Sequence, residues 1–112
     1  MKYYYNLYAN DTIRENKMRI LSKIDRGEIV FGKYLVELTQ NEKNHLEFYD
    51  SAYVTQNFVE KNDLFVIGIA EGYGGAVKIV EEIVNEVLRV TGGTDIRNYL
   101  LAQQLEFEKR NG

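Results

Sequence analysis

The segment of residues 64–70 constrains the fold most, because it contains no polar side chain. It is short and rich in β-branched and aromatic residues, which is typical of a strand covered on both faces of its sheet. Three glycines follow within residues 71–75 and interrupt this pattern. Apolar residues then recur at helical spacing over residues 76–90, and Gly92 and Gly93 are predicted to end this helix. The sequence therefore predicts a central strand followed by a long helix, with Glu81, Glu82 and Glu86 on its outer face.

Two further elements are predicted at the start of the chain. Residues 2–9 are rich in tyrosine, which favours a half-buried pleated surface and hence a strand. Residues 12–26 carry apolar side chains at helical spacing, and Gly27 follows them. We therefore expect a strand and then a helix before the next strand begins.

Residues 28–39 and 45–55 predict a β-hairpin with a defined register. Setting Leu38 opposite Leu46 makes one face apolar along most of its length, as far as Val30 opposite Val54, whereas a shift by one residue destroys the match. In this register Asp50 lies on the apolar face opposite Tyr34. A buried carboxylate needs a partner, and we expect the Tyr34 hydroxyl to supply it.

The second face of this hairpin is also apolar and aromatic, and it predicts an interaction surface. A face this apolar is not left open to water, so a helix of the same chain or a partner subunit must cover it. The residues expected at an interface between subunits are Phe31, Leu35, Tyr49 and Tyr53. The helix after Gly93 is a second candidate for self-association, because the two glycines allow it to swing outward.

The remaining segments complete a prediction of the fold class. Residues 56–63 form a short turn or loop, and residues 95–109 form a third helix capped by Thr94. The element order is β-α-β-β-(short turn)-β-α-α, within one domain of residues 1–112. This order predicts an α+β fold in which a four-stranded mixed sheet packs against helices.

Composition narrows the function classes. The chain of 112 residues has no Cys, which removes disulfides, thiol nucleophiles and thiolate metal sites and fits a reducing cytoplasm. Its net charge of -3 disfavours nucleic acid as a partner. No apolar run approaches the roughly 20 residues that a membrane span needs. We therefore expect a cytoplasmic protein without a cofactor, and we expect no membrane partner.

The glycine-rich turn is the best candidate for a ligand site. Gly72, Tyr73, Gly74 and Gly75 join the buried strand to the long helix, where free N–H groups and the helix dipole attract anions. The dinucleotide fingerprint is incomplete, because Val77 stands where its last glycine should be. The alternative interpretation is a tight turn that lets the helix pack closely on the sheet.

A metal site around Glu37, His45 and Glu47 is a weaker hypothesis. The proposed register places the three residues on one face of the hairpin, where they could bind a metal ion or act in acid–base catalysis. The alternative is a solvated strand end. The chain has one histidine and shows no nucleophile constellation, so the sequence favours a protein that is not an enzyme.

The segments 63–73 and 91–99, together with the element order, resemble a group of small bacterial proteins without an assigned function. The resemblance implies a bacterial cytoplasmic protein, and it implies no activity and no site residue. We therefore expect a non-enzymatic interaction protein that forms a homo-oligomer, such as a homodimer, or binds another protein. The alternative is a protein that binds a phosphate-bearing or other anionic small ligand at the glycine-rich turn.

Overall fold

The computed structural model describes residues Met1–Gly112 and shows an α+β fold. A four-stranded mixed sheet has the strand order β1-β4-β2-β3, and helices pack on it. The strands are β1 (Lys2–Ala9), β2 (Lys33–Leu38), β3 (Leu46–Asp50) and β4 (Phe65–Glu71). The helices are α1 (Lys17–Asp25), α2 (Ala52–Thr55), α3 (Gly72–Thr91) and α4 (Ile96–Asn111), with short 3₁₀ segments at Asp11–Asn16 and Lys61–Asp63. The predicted fold class is therefore confirmed.

Strand β4 is central, as its apolar sequence predicts. It pairs in parallel with β1 and antiparallel with β2. The five residues from Val66 to Ala70 are buried. This burial on both faces explains why the strand tolerates no polar side chain before Glu71.

The predicted hairpin register is confirmed over the length of the strands, which are shorter than expected. Val36 pairs with Phe48 and Leu38 with Leu46. The predicted extension to Val30 opposite Val54 is wrong, because Gly32 adopts a left-handed φ of 72° and ends the ladder. The Asp50 carboxylate accepts the Ala52 N–H at 2.9 Å at the start of α2. The carboxylate of Asp50 is therefore satisfied by local backbone and not by Tyr34 as predicted.

Helix α3 covers one face of the sheet. Its first turn places the Tyr73 ring against Tyr34 and Phe48, with ring centroids 6.2 and 5.3 Å apart. Further along, the Ile79 side chain lies against Gly68 of β4, where a Cβ atom would come within 3.2 Å of it. The glycine in the central strand thus lets the helix approach the sheet closely.

Helices α1 and α2 pack together and bury the opposite face. Leu21 and Ile24 of α1 and Val54 of α2 are buried. Leu35 of β2, whose side chain points away from α3, is completely buried as well. The part of this face that contains Leu35 is therefore covered within the same chain, whereas Phe31 and Tyr53 remain exposed.

The predicted long helix begins earlier than expected. The sequence places its start at Ala76, whereas α3 begins at Gly72, so the glycine cluster forms its first turn. Its end is confirmed, since Gly92 adopts a left-handed φ of 73° and donates its N–H to the Leu88 carbonyl.

Helix α4 packs against α3 and β1. Its cap is Asp95, whose carboxylate accepts the Asn98 N–H, and not Thr94 as predicted. The Gln104 side chain accepts the Tyr5 N–H of β1 at 2.8 Å. None of the helices combines the length and the apolar character that crossing a bilayer requires.

Candidate functional sites

Four large apolar side chains are exposed on the segments around α2. We call these residues, Ile29, Phe31, Tyr53 and Phe58, the α2 surface; they are 66%, 86%, 48% and 70% exposed. The Tyr53 ring lies 6.0 Å from that of Phe58 in an edge-on contact. Their exposure follows from local structure, since Gly32 turns the chain before β2 and α2 is only four residues long.

Only two of the four predicted interface residues belong to the α2 surface. Phe31 and Tyr53 are exposed, whereas Tyr49 is half-buried and Leu35 is inaccessible to solvent. The prediction of Leu35 as an interface residue is wrong, because its side chain is completely buried within its own chain. The α2 surface also includes Ile29 and Phe58, which the sequence pattern did not single out as interface residues.

A small groove of about 270 Å³ runs along the α2 surface. Ile29 and Phe31 line one side of it, and Asp50, Ala52 and Thr55 line the other. The Ser51 hydroxyl, fully buried beneath, donates to the Val30 carbonyl at 3.2 Å and joins the two sides. The groove walls are therefore held together by a buried hydrogen bond.

The glycine-rich turn at the start of α3 is held by the side chain of Asn10. The Asn10 amide oxygen accepts the Glu71 N–H at 2.7 Å, and its amide nitrogen donates to the Gly75 carbonyl at 3.2 Å. Gly72 has a left-handed φ of 71° and donates its N–H to the Gly32 carbonyl at 2.7 Å. Gly72 is therefore explained by its left-handed backbone and Gly75 by its close contact with Asn10, while the space around Gly74 is open.

A cavity of about 490 Å³ lies beside this turn, at the ends of β1 and β4. Its charged lining comprises the cations Arg14 and Lys78 and the carboxylates Asp11, Glu71 and Glu82. Arg14 is already paired with Asp11 at 2.8 Å. Lys78 is therefore the cation in this lining that makes no ion pair.

Replacing Gly75 with alanine is expected to lower the free energy of unfolding by about 1–3 kcal/mol. The new Cβ atom would overlap with the Asn10 amide oxygen, so both Asn10 hydrogen bonds would break. Urea denaturation measures the loss. The matched control is Gly74→Ala, which meets open space in the same helical turn and should be neutral or stabilising. Equal losses in both variants would contradict this role of Asn10.

The predicted metal cluster does not form. Glu37 and Glu47 are a cross-strand pair. His45 precedes the first residue of β3, and its Nδ1 accepts the Arg97 N–H of α4 at 3.2 Å. No three His, Cys, Asp or Glu side chains stand close enough to hold a metal ion. The hypothesis is wrong because the packing of α4 uses the histidine at a helix start.

The Glu37 and Glu47 pair instead places like charges directly opposite each other. Burial raises the pKa of the Glu37 carboxyl, and the charge of Glu47 raises it further. The Tyr49 hydroxyl is buried beside them without a hydrogen bond of normal geometry, and burial raises its pKa too. Ionised Glu37 is therefore less favourable in the folded chain than in the unfolded chain.

Replacing Glu37 with glutamine is expected to raise the free energy of unfolding at pH 7 by about 0.5–1 kcal/mol. Because the pKa of Glu37 is higher in the folded chain than in the unfolded chain, ionised Glu37 destabilises the folded wild-type chain above the folded-state pKa. This destabilisation disappears as pH falls below the unfolded-state pKa. The advantage of the variant should disappear in acid, as thermal unfolding at several pH values would show. Glu42→Gln, in the exposed loop, is the control and should change little; an advantage that persists in acid would contradict the assignment.

One partly buried polar cluster was missed by sequence reasoning. The Glu86 carboxylate accepts the Tyr8 hydroxyl at 2.9 Å and the Tyr99 hydroxyl at 2.7 Å. It therefore joins β1, α3 and α4, although its helical position predicts an outer face. Burial, followed by the hydrogen bond to Glu86, raises the pKa of Tyr99 to about 12 and raises that of Tyr8 as well.

Comparison of the chain with protein-family models, with curated proteins and with solved structures finds no match. The α2 surface and the glycine-rich turn are therefore the features of this chain that suggest a function.

Proposed function

We propose that this chain is a non-enzymatic cytoplasmic interaction protein that self-associates through the α2 surface. The observation that supports the proposal is the exposure of four large apolar side chains on neighbouring segments, led by Phe31 at 86% and Phe58 at 70%. Clustered exposure of this kind marks interaction sites, whereas single exposed apolar residues do not. The lack of Cys fits the reducing compartment.

The chemistry of the α2 surface suits an interface core. Three of its four residues are aromatic, and aromatic side chains dominate the binding energy of protein interfaces. Burial of a large apolar side chain contributes about 1.5–3 kcal/mol relative to its exposure. Several such side chains are enough to drive association if a partner removes them from water together.

Light scattering with Phe31→Glu and Tyr53→Glu combined tests the proposal. We expect an oligomer for the wild-type chain at micromolar concentration and a monomer for the double variant, because a buried unpaired carboxylate opposes association. The control combines Leu101→Glu with Leu105→Glu on α4, where both leucines are exposed. A control that dissociates while the α2 variant stays oligomeric would move the interface to α4; a monomeric wild-type chain would overturn the proposal.

Binding of a phosphate-bearing or other anionic small ligand at the glycine-rich turn is the second candidate function. The observation that favours it is the open space at Gly74, next to Gly75, which lines a cavity of about 490 Å³ together with Lys78. Free N–H groups in the first turn of a helix attract anions. Titration with inorganic phosphate should shift the amide signals of Tyr73 and Gly74, and Lys78→Gln should weaken the shift. Unchanged signals at millimolar phosphate would contradict this function.

A further inference from the structure

The two outer edges of the sheet differ in how their backbone is protected. On the β1 side, three side chains from outside the sheet bond to the strand. Gln104 accepts the Tyr5 N–H at 2.8 Å, Lys17 donates to the Leu7 carbonyl at 3.4 Å, and Arg14 donates to the Ala9 carbonyl at 3.1 Å. Such cover prevents a strand edge from pairing with another chain.

The β3 edge has no such cover. The Thr39 N–H donates to the His45 carbonyl at 2.8 Å, and the Ser51 N–H donates to the Lys33 carbonyl at 2.9 Å. Because hydrogen-bonded residues alternate along an antiparallel pair, the odd-numbered residues of β3 bond to β2. The N–H and C=O groups of Leu46, Phe48 and Asp50 therefore point outward. No side chain and no loop backbone bonds to them.

We infer that β3 pairs antiparallel with β3 of a second copy of this chain, with Phe48 opposite Phe48 across a two-fold axis. The inference rests on the proposed self-association and specifies its geometry. In this register Leu46 lies opposite Asp50 of the second copy, and Asp50 lies opposite its Leu46. Each of these three pairs exchanges two backbone hydrogen bonds, so every outward N–H and C=O group of the strand has a partner. The two sheets become one continuous sheet.

Charge disfavours the neighbouring register in which the axis lies at Glu47. Moving the two-fold axis to Glu47 would set that carboxylate directly opposite its own copy, which is unfavourable, and would leave Asp50 unpaired. With the axis at Phe48, Glu47 instead lies opposite Tyr49 of the second copy. The register with the axis at Phe48 thus forms the most backbone hydrogen bonds within β3 and sets no like charges opposite each other.

The α2 surface adjoins this edge of the sheet. Helix α2 follows β3 after Ser51, and the Tyr53 ring lies 6.0 Å from that of Tyr49. In an antiparallel pair, the Asp50 end of one strand meets the Leu46 end of the other. The α2 surface of one copy therefore lies near the β2–β3 loop of its partner, and the two-fold axis repeats this contact on its other side.

Amide hydrogen exchange of the wild-type chain at low and high protein concentration tests the pairing. We expect the amides of Leu46, Phe48 and Asp50 to exchange rapidly at low concentration and at least tenfold more slowly at high concentration. The amides of Glu47 and Tyr49, bonded to β2, serve as internal controls and should be protected at both concentrations. An oligomer whose three outward amides remain unprotected would overturn the edge pairing and leave self-association standing. A chain that stays monomeric at every concentration would overturn both.

A charge at the two-fold axis provides an independent test. Phe48→Lys sets two ammonium groups opposite each other and should weaken dimerisation at least tenfold in sedimentation equilibrium. The matched control is Val90→Lys, which adds the same charge at an exposed apolar position near the end of α3. We expect the control to dimerise as the wild-type chain does. Equal dimerisation of the Phe48 variant and the wild-type chain would overturn the inference.

Discussion

Replacing Leu35 with alanine is expected to lower the free energy of unfolding by about 2–5 kcal/mol. Leu35 is completely buried between its neighbours in β3 and β4, so the truncation leaves a cavity that close packing cannot fill. Chemical denaturation with an unchanged slope would report the loss directly. The same residue was predicted from the sequence to lie at an interface between subunits, so this experiment separates a core role from an interface role.

Phe31→Ala is the matched control for Leu35. Both residues belong to the same predicted interface, but Phe31 is 86% exposed and should change the stability of the monomer by no more than about 0.5 kcal/mol. The two variants should therefore differ strongly in their free energy of unfolding, measured at low protein concentration. A small loss for Leu35→Ala, or similar losses for both, would contradict the assignment of Leu35 to the core of a single chain.

Replacing Glu86 with alanine is expected to lower the free energy of unfolding by about 2–4 kcal/mol, because two hydrogen bonds to a charged acceptor would be lost. The Tyr8 hydroxyl would then lack its partner at a buried position, and Tyr99 would lose its tie between α4 and α3. We therefore expect α4 to exchange its amide hydrogens faster in the variant. Thermal unfolding and hydrogen exchange measure the two effects.

Glu81→Ala controls for helix propensity and charge. Glu81 is exposed on the same helix and makes no ion pair or side-chain hydrogen bond, so its replacement should be nearly neutral. An equal loss in both variants would indicate an effect of the helix and not of the tyrosine contacts. The comparison therefore isolates the contribution of the Glu86 carboxylate.

The tyrosine contacts also predict how stability depends on alkaline pH. The pKa of Tyr99 is raised from 10.0 to about 12, so the folded chain holds this proton more tightly than the unfolded chain does. The stabilisation is complete below the unfolded pKa and is lost as pH rises through the folded pKa, between about pH 10 and 12. Glu86→Ala should flatten this dependence, since it removes a group that raises the pKa of both Tyr8 and Tyr99.

Local patterns predicted the sheet well because they report how each strand meets its neighbours. The apolar segment before Glu71 identified the central strand, since only burial on both faces excludes every polar side chain. Alternation along the hairpin identified the pairing of Val36 with Phe48, because a slip by one residue would turn apolar side chains outward. Gly92 identified the end of α3, since its left-handed φ suits glycine.

Contacts between distant segments could not be predicted in the same way. Asn10 bonds to Glu71 and Gly75 across more than 60 positions of sequence, and no local signal links them. Glu86 has the helical spacing of an exposed residue but receives two tyrosine hydroxyls, one of them from α4. His45 was grouped with two glutamates by strand alternation, yet α4 binds it at its first turn.

The amino-acid pattern thus specifies the strands, the register of the hairpin and the α+β class, because backbone periodicity and burial act over a few residues. The tertiary structure alone decides which apolar face is covered by α1 and α2, which side chains remain exposed beside α2, and which sheet edge lacks cover. These outcomes depend on where helices pack after the chain has folded. Side chains far apart in sequence then compete for the same surface and the same hydrogen-bond partners.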